Sequence, residues 1–264
     1  MPRRKLSRNR LAGWGAALGL GSALVLAGCA SVPPARPPVA PEALAARATL
    51  EQRWEEFHDL RSLAEIKIRR KNRVQRLTGV LLLRAPSSLR FEALSPFGTP
   101  VYVVAGDAKA LTVWEVLEQR AYVLPTSPEA SRRWLGLAIG ADELVAILAG
   151  RVLPWRDAQV IELLAPDGTG PSLSLRGEHG VQRIWFDAET GRAREVQWTE
   201  TANPARVVFA ETSAASPPAG VTLTTLDGKL EVQVTYRDPR MNTAFDPDLL
   251  KLSVPEHVKI QDFR

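Results

Sequence analysis

The sequence predicts a mainly β fold of the α+β kind, a single antiparallel sheet of about 11–13 strands accompanied by a few short helices. Three observations lead there. Apolar and polar residues alternate with period two in short runs over most of the chain. The connections between runs are too short for the crossovers that parallel pairing needs. The alternation stops once, in mid-chain, at two stretches whose apolar residues follow a helical spacing.

The chain opens with Arg3, Arg4, Lys5, Arg8 and Arg10, continues through an apolar run from Leu11 to Ala27, and reaches Leu26-Ala27-Gly28-Cys29. A basic start, an apolar stretch and small residues before a cut site make a secretory signal. The Leu-Ala-Gly-Cys ending resembles the bacterial lipobox, which implies removal of residues 1–28 and a covalent lipid on Cys29. Several acyl chains on one residue anchor stably, where one chain would be marginal. Ala30 follows the cysteine, and the absence of Asp there resembles lipoproteins sorted to the outer membrane. Prolines at 33, 34, 37, 38 and 41 predict an extended polyproline II tether, roughly 30 Å long at about 3.1 Å per residue.

Glu42 to His58 predicts an amphipathic helix with Leu50, Trp54 and Phe57 on one face. Strands follow: a run around Ala64, Ile66 and Ile68, then Leu77 to Arg84, Leu89 to Leu94, Val101 to Ala105, Leu111 to Val116 and Ala121 to Leu124. Ser127 as N-cap and Pro128 at the first position start a second helix through Ala130 to Leu135. A third, Ala141 to Ala149, presents Leu144, Ile147 and Leu148, and Gly150 stops it. Strands resume at Val160 to Leu164, Leu173 to Arg176, Val181 to Phe186, Arg194 to Trp198, Ala205 to Phe209, Val221 to Leu226 and Leu230 to Tyr236, with a short extended piece near Leu252 to Ile260. Asp227-Gly228 predicts a type I′ hairpin turn. Several strands are apolar on both faces, and three short helices cannot cover so many. Either the sheet curls on itself as a barrel or it curves around an apolar space.

Composition excludes other classes. The formal charge of +5 comes entirely from the five basic residues before position 11; without them acidic and basic residues are equal in number. A neutral body lacks the footprint that nucleic acid requires. Cys29 is the single cysteine, so no disulfide forms within the chain, and His58, His179 and His257 lack metal-ligand spacing. No Gly-x-Ser-x-Gly, His-Glu-x-x-His or phosphate-binding glycine loop occurs, and no enzyme is expected. Arg69-Arg70-Lys71-Asn72-Arg73 with Arg76 reads as a solvated basic hairpin tip.

From Trp54 to Trp155 the order of these pieces resembles the LolA/LolB family of lipoprotein carriers and receptors, the LolB branch more than the LolA branch. Ser95-Pro96-Phe97-Gly98 is similar to the family's Pro-Leu-Gly turn, and Glu143 to Pro154 to its lid helix ending in Gly-x-Pro. The resemblance implies a curved, incomplete antiparallel barrel with a helical lid over a hydrophobic cavity. It implies a non-enzymatic receptor, a monomer of the outer membrane's periplasmic face, that takes lipoproteins or another amphiphile, with a periplasmic LolA-like carrier as donor. Phe97 then stands where an apolar side chain meets the membrane. Ile66, Ile68, Leu81, Leu83, Phe91, Val103 and Trp114 on strands, with Leu144, Ile147 and Leu148 on the lid, are the acyl-cavity candidates. No cofactor is implied beyond the lipid on Cys29. The expected organisation is a signal over 1–28, a lipidated tether over 29–41 and one lipid-binding domain over 42–264. The alternative is a lipid-anchored assembly factor without lipid cargo.

Overall fold

The structure is a computed structural model that describes residues 39–134, 136–210 and 218–264. The signal, Cys29 and most of the tether therefore lie outside the described residues, as does part of the loop before Pro218.

Helix α1 (Pro41–Glu55) starts with proline at its first position and buries Ala43, Ala46 and Leu50. It stops three residues short of the expected His58. The Asn242 side chain accepts from the His58 N–H (2.9 Å) and donates to the Glu56 carbonyl (2.8 Å), which fixes a sharp exit into the first strand. Phe57 still packs on Trp54, with ring centroids 5.6 Å apart.

Two antiparallel meanders follow. The first is β1 (Asp59–Arg70), β2 (Arg73–Arg84), β3 (Ser88–Leu94), β4 (Pro100–Gly106), β5 (Ala110–Glu115) and β6 (Arg120–Pro125). The second is β7 (Val160–Asp167), β8 (Gly170–Gly177), β9 (Gly180–Phe186), β10 (Ala193–Thr199), β11 (Ala205–Ala210), β12 (Gly220–Thr225) and β13 (Leu230–Met241). They are joined by pairing of β1 with β13, with Ile66 opposite Val234 and Ile68 opposite Val232. The extended piece near Ile260 becomes β14 (Lys259–Asp262), the one parallel partner, on β6. Among the described residues this gives one open sheet of 14 strands, in the order β14-β6-β5-β4-β3-β2-β1-β13-β12-β11-β10-β9-β8-β7. The count exceeds the expected range because β14 takes a free edge that the sequence pattern alone does not reveal.

The Asp227-Gly228 turn departs from type I′. Only Gly228 has positive φ (+67°), and the Gly228 N–H donates to the Thr225 carbonyl (2.8 Å). The Asp227 carboxylate accepts from the Lys229 N–H (3.0 Å) and the Thr225 hydroxyl (2.7 Å). An aspartate that bonds the backbone two residues on supports such a turn without a left-handed first residue.

The connection from β6 to β7 must travel between opposite sides of the sheet. It does so as α2 (Pro128–Trp134) and α3 (Ala141–Leu148), and α3 packs on β2 and β3. Side chains of α1 and α3 share one apolar core with the inner face of both meanders, from Leu81 and Phe91 through Ile184, Val196 and Val207 to Val234. The C-terminal segment covers part of the outer face. Buried Asp59 accepts from the Thr243 N–H (3.0 Å), the Thr243 hydroxyl (3.1 Å) and the Ala244 N–H (2.9 Å). Pro247–Leu250 then lies against β3, and the Arg90 guanidinium donates to the Lys251 carbonyl.

Candidate functional site

The strand register separates the sequence-derived candidates by face. Residues directly opposite one another point to the same side, so Leu83 with Leu89 and Leu81 with Phe91 share the inner face. Ile66 and Ile68 join them, half-buried against the core. Val103 pairs with Glu92 and Trp114, whereas Val104 pairs with Phe91. Val103 and Trp114 therefore sit on the outer face, away from α3. Period-two alternation marks two faces and does not say which is inner when both are apolar. On α3, Ile147 is buried, and Leu144 and Leu148 are half-buried against the same core.

Among the described residues, little space is left beside the first turn of α3. The hollow between its first turn and β3–β6 measures about 30 Å³, bounded by Leu89, Leu111, Leu124, Ile139 and Leu144. That holds about one water, whereas sites for small organic ligands run to roughly 300–1,000 Å³. Next to it lies an open cleft of about 1080 Å³ between α1, the start of α3 and the segment Leu153–Arg156. Hollow and cleft share Pro125, Thr126, Gly140 and Ala141 as walls, so the start of α3, with the end of β6, is the partition between them.

The two ends of α3 are held differently. Beyond its last turn Gly150 adopts a left-handed φ of +71°. Tyr236, buried in the core, donates its hydroxyl to the Leu148 carbonyl (2.7 Å); burial raises the pKa of this phenol. Arg151 donates from Nε to the Arg53 carbonyl (2.9 Å); burial first, then the nearby Arg53 charge, lower its pKa to about 10. Gln182, fully buried on β9, accepts from the Trp155 N–H and donates to the Leu153 carbonyl, both at 2.9 Å. At the other end Gly140 is an N-cap without a side chain to accept from the first turn. One turn in, Glu143 faces the cleft as a half-buried residue, yet its Oε1 is closed to solvent and has no hydrogen-bond partner. Desolvation by burial, helped by the Asp142 charge, raises its pKa to about 8, against weaker hydrogen bonds from Gly140 and Trp198.

Phe97 projects from the β3–β4 turn and is 93% exposed. Hydrogen bonds close the turn: the Gly98 N–H donates to the Ser95 carbonyl (2.9 Å), and the Ser95 hydroxyl accepts from the N–H groups of Phe97 (3.2 Å) and Thr99 (3.3 Å). Leu117, in the adjacent β5–β6 turn, is 79% exposed. The Val116 N–H donates to the Val101 carbonyl (3.1 Å) and ties the two turns together.

Sequence reasoning passed over Glu143, Gln182, Tyr236 and Leu117. Asp142-Glu143 reads as an ordinary acidic first turn, and nothing local marks Gln182 as buried. Leu117 carried a signal: with Val116 it forms an apolar pair between Glu115 and Glu118 at a hairpin tip.

The sequence matches no family model and no curated protein. Solved structures are similar to it in fold. A LolA superfamily protein from Nitrosomonas europaea is 11% identical with a TM-score of 0.51, over 79% of this chain and 97% of its own. A putative outer membrane lipoprotein-sorting protein domain from Vibrio parahaemolyticus is 10% identical with a TM-score of 0.50, over 79% and 96%. A DUF1329 family protein from Desulfovibrio piger is 10% identical with a TM-score of 0.53, over 80% and 96%. At such identity the likeness is one of architecture: the chain has the mainly β, curved open sheet with few helices seen in LolA-like proteins.

Proposed function

We propose that the protein is a lipid-anchored, non-enzymatic carrier or receptor of the LolB type, which shelters the acyl chains of a lipoprotein or another amphiphile and delivers them to the outer membrane. One observation carries this reading: a continuous apolar inner face runs from β2 to β13 beneath a helix whose start, with the end of β6, separates it from an open cleft. Residues 1–28 are the signal, Cys29 bears the anchor, 29–41 is the tether and 42–264 the binding domain. α3 acts as the lid. Burying an acyl chain is worth about 0.8 kcal/mol per methylene, roughly 10 kcal/mol gross for 16 carbons. Release then needs only a bilayer that accepts the chain better than the protein does. Phe97 on its hydrogen-bonded turn is the membrane contact, and a periplasmic LolA-like protein is the donor.

The small size of the hollow, about 30 Å³, favours a second reading, an anchored envelope assembly factor with a filled core. Native mass spectrometry of the full chain purified without detergent separates the two. Co-purifying acylated species support the carrier; a bare chain, with no uptake on incubation with acylated lipopeptide, leaves the assembly factor.

A further inference from the structure

Glu143 combines features that an ordinary acidic first turn lacks. Its Oε1 is sealed from solvent and unpaired, on the cleft side of the wall that cleft and hollow share, one residue before Leu144, which lines the hollow. Burial holds the side chain largely in its neutral form at pH 7. A neutral carboxyl carries an O–H donor, and a buried donor without a partner is costly. The hollow behind α3 offers mainly hydrocarbon surface, along Leu89, Leu111 and Leu144, with Asp107, Thr126 and Ser131 at its walls. A molecule that places its tail there presents, at the top of the tail, whichever atom links the tail to its head. In a fatty ester or amide that atom group is a carbonyl, an acceptor with no proton of its own. In an alkyl ether it is a far weaker acceptor.

We infer that Glu143 is the polar contact of a binding site for fatty-acyl esters and amides: its O–H donates to the acyl carbonyl at the cleft, and the alkyl tail runs beneath α3. The inference rests on the acyl-carrier reading and adds to it a chemical preference, acyl over alkyl ether. The start of α3 swings out to admit the tail, and the hydrogen bond marks the depth to which it goes. The charged groups around the site are Asp142 on α3, Arg47, Glu51 and Glu55 on α1, Lys109 after β4, and Arg156. Loss of the Glu143 proton removes the donor, so the preference fades as pH rises through 8.

The test uses the full chain carrying Cys29→Ser, so that its own anchor cannot fill the hollow. The probes are 1-palmitoyl-lysophosphocholine and 1-O-hexadecyl-lysophosphocholine, which differ only in the carbonyl, each held below its micelle concentration and followed by tryptophan fluorescence. At pH 6.5 the acyl probe is expected to bind about tenfold tighter, the worth of one good hydrogen bond, and the ratio to fall toward one by pH 9.5. Glu143→Gln, whose amide still donates, keeps the ratio at both pH values; Glu143→Leu brings it to one at pH 6.5. Equal binding of the two probes by the unmutated side chain overturns the inference even if Glu143→Leu fails to fold. So does an unchanged preference in folded Glu143→Leu. Binding of neither probe overturns the carrier reading itself, and the inference with it.

Discussion

The two ends of α3 teach opposite lessons. Its C-terminal end is held by groups from three directions: the Tyr236 hydroxyl on Leu148, Arg151 on Arg53, and Gln182 on both Leu153 and Trp155. Every one of those polar groups is satisfied by backbone. Its N-terminal end has a glycine for a cap, a hollow at its side and a carboxyl oxygen without a partner. A helix so built is held by satisfied hydrogen bonds at one end and carries an unsatisfied group at the other, so its first turn is the less stable of its two ends.

The largest effect is expected at the less stable end. Burial pushes the pKa of Glu143 in the folded chain up to about 8, above the ordinary 4.5 of a free glutamate. Below pH 4.5 it is protonated folded or unfolded. Between 4.5 and 8 the unfolded chain releases the proton and the folded chain retains it, so stability falls as pH rises through that window. Glu143→Gln removes this loss: it should be neutral at pH 4 and stabilise by on the order of 3 kcal/mol at pH 8. Thermal melts across that pH range check it, and equal gains at both ends would refute the buried acid. Next comes Gln182→Leu at the held end. It leaves the Trp155 N–H and Leu153 carbonyl unpaired and should destabilise by about 2 kcal/mol, lowering the melting temperature by several degrees. Tyr236→Phe removes one hydrogen bond to Leu148 and should cost about 1 kcal/mol. In hydrogen exchange this last variant should open α3 at its C-terminal end, erasing the contrast between the ends. Phe97→Glu, with its side chain already in solvent, should change stability by less than about 0.5 kcal/mol. It should nevertheless lower delivery of bound acyl cargo to liposomes while capture is unchanged; undiminished delivery removes Phe97 from the mechanism.

That asymmetry was not legible in the sequence, although most of the elements were. All thirteen antiparallel strands of the two meanders answer to local alternation and local turns, and α2 begins where Ser127-Pro128 predicts. What escaped depends on partners remote in the chain. Glu143 is buried by a neighbourhood that includes Trp198 on β10. Gln182 looks like one polar residue among many until Leu153 and Trp155 are placed over it. Val103 and Trp114 fall on the outer face, against expectation, because a strand that is apolar on both sides carries no mark of orientation. The Asp227-Gly228 turn departs from expectation because a side-chain carboxylate competes with the backbone for its geometry.

The seam between β1 and β13 has a consequence for how the chain is made. Since the other flank of β1 is paired only by β13, with Ile66 opposite Val234, the first meander emerges from synthesis with one long flank of naked amide groups and must wait for almost the whole remaining polypeptide. An unfinished edge of that kind invites pairing with a sister molecule. Truncation anywhere before Leu230 should accordingly yield not a smaller folded unit but aggregates joined strand to strand.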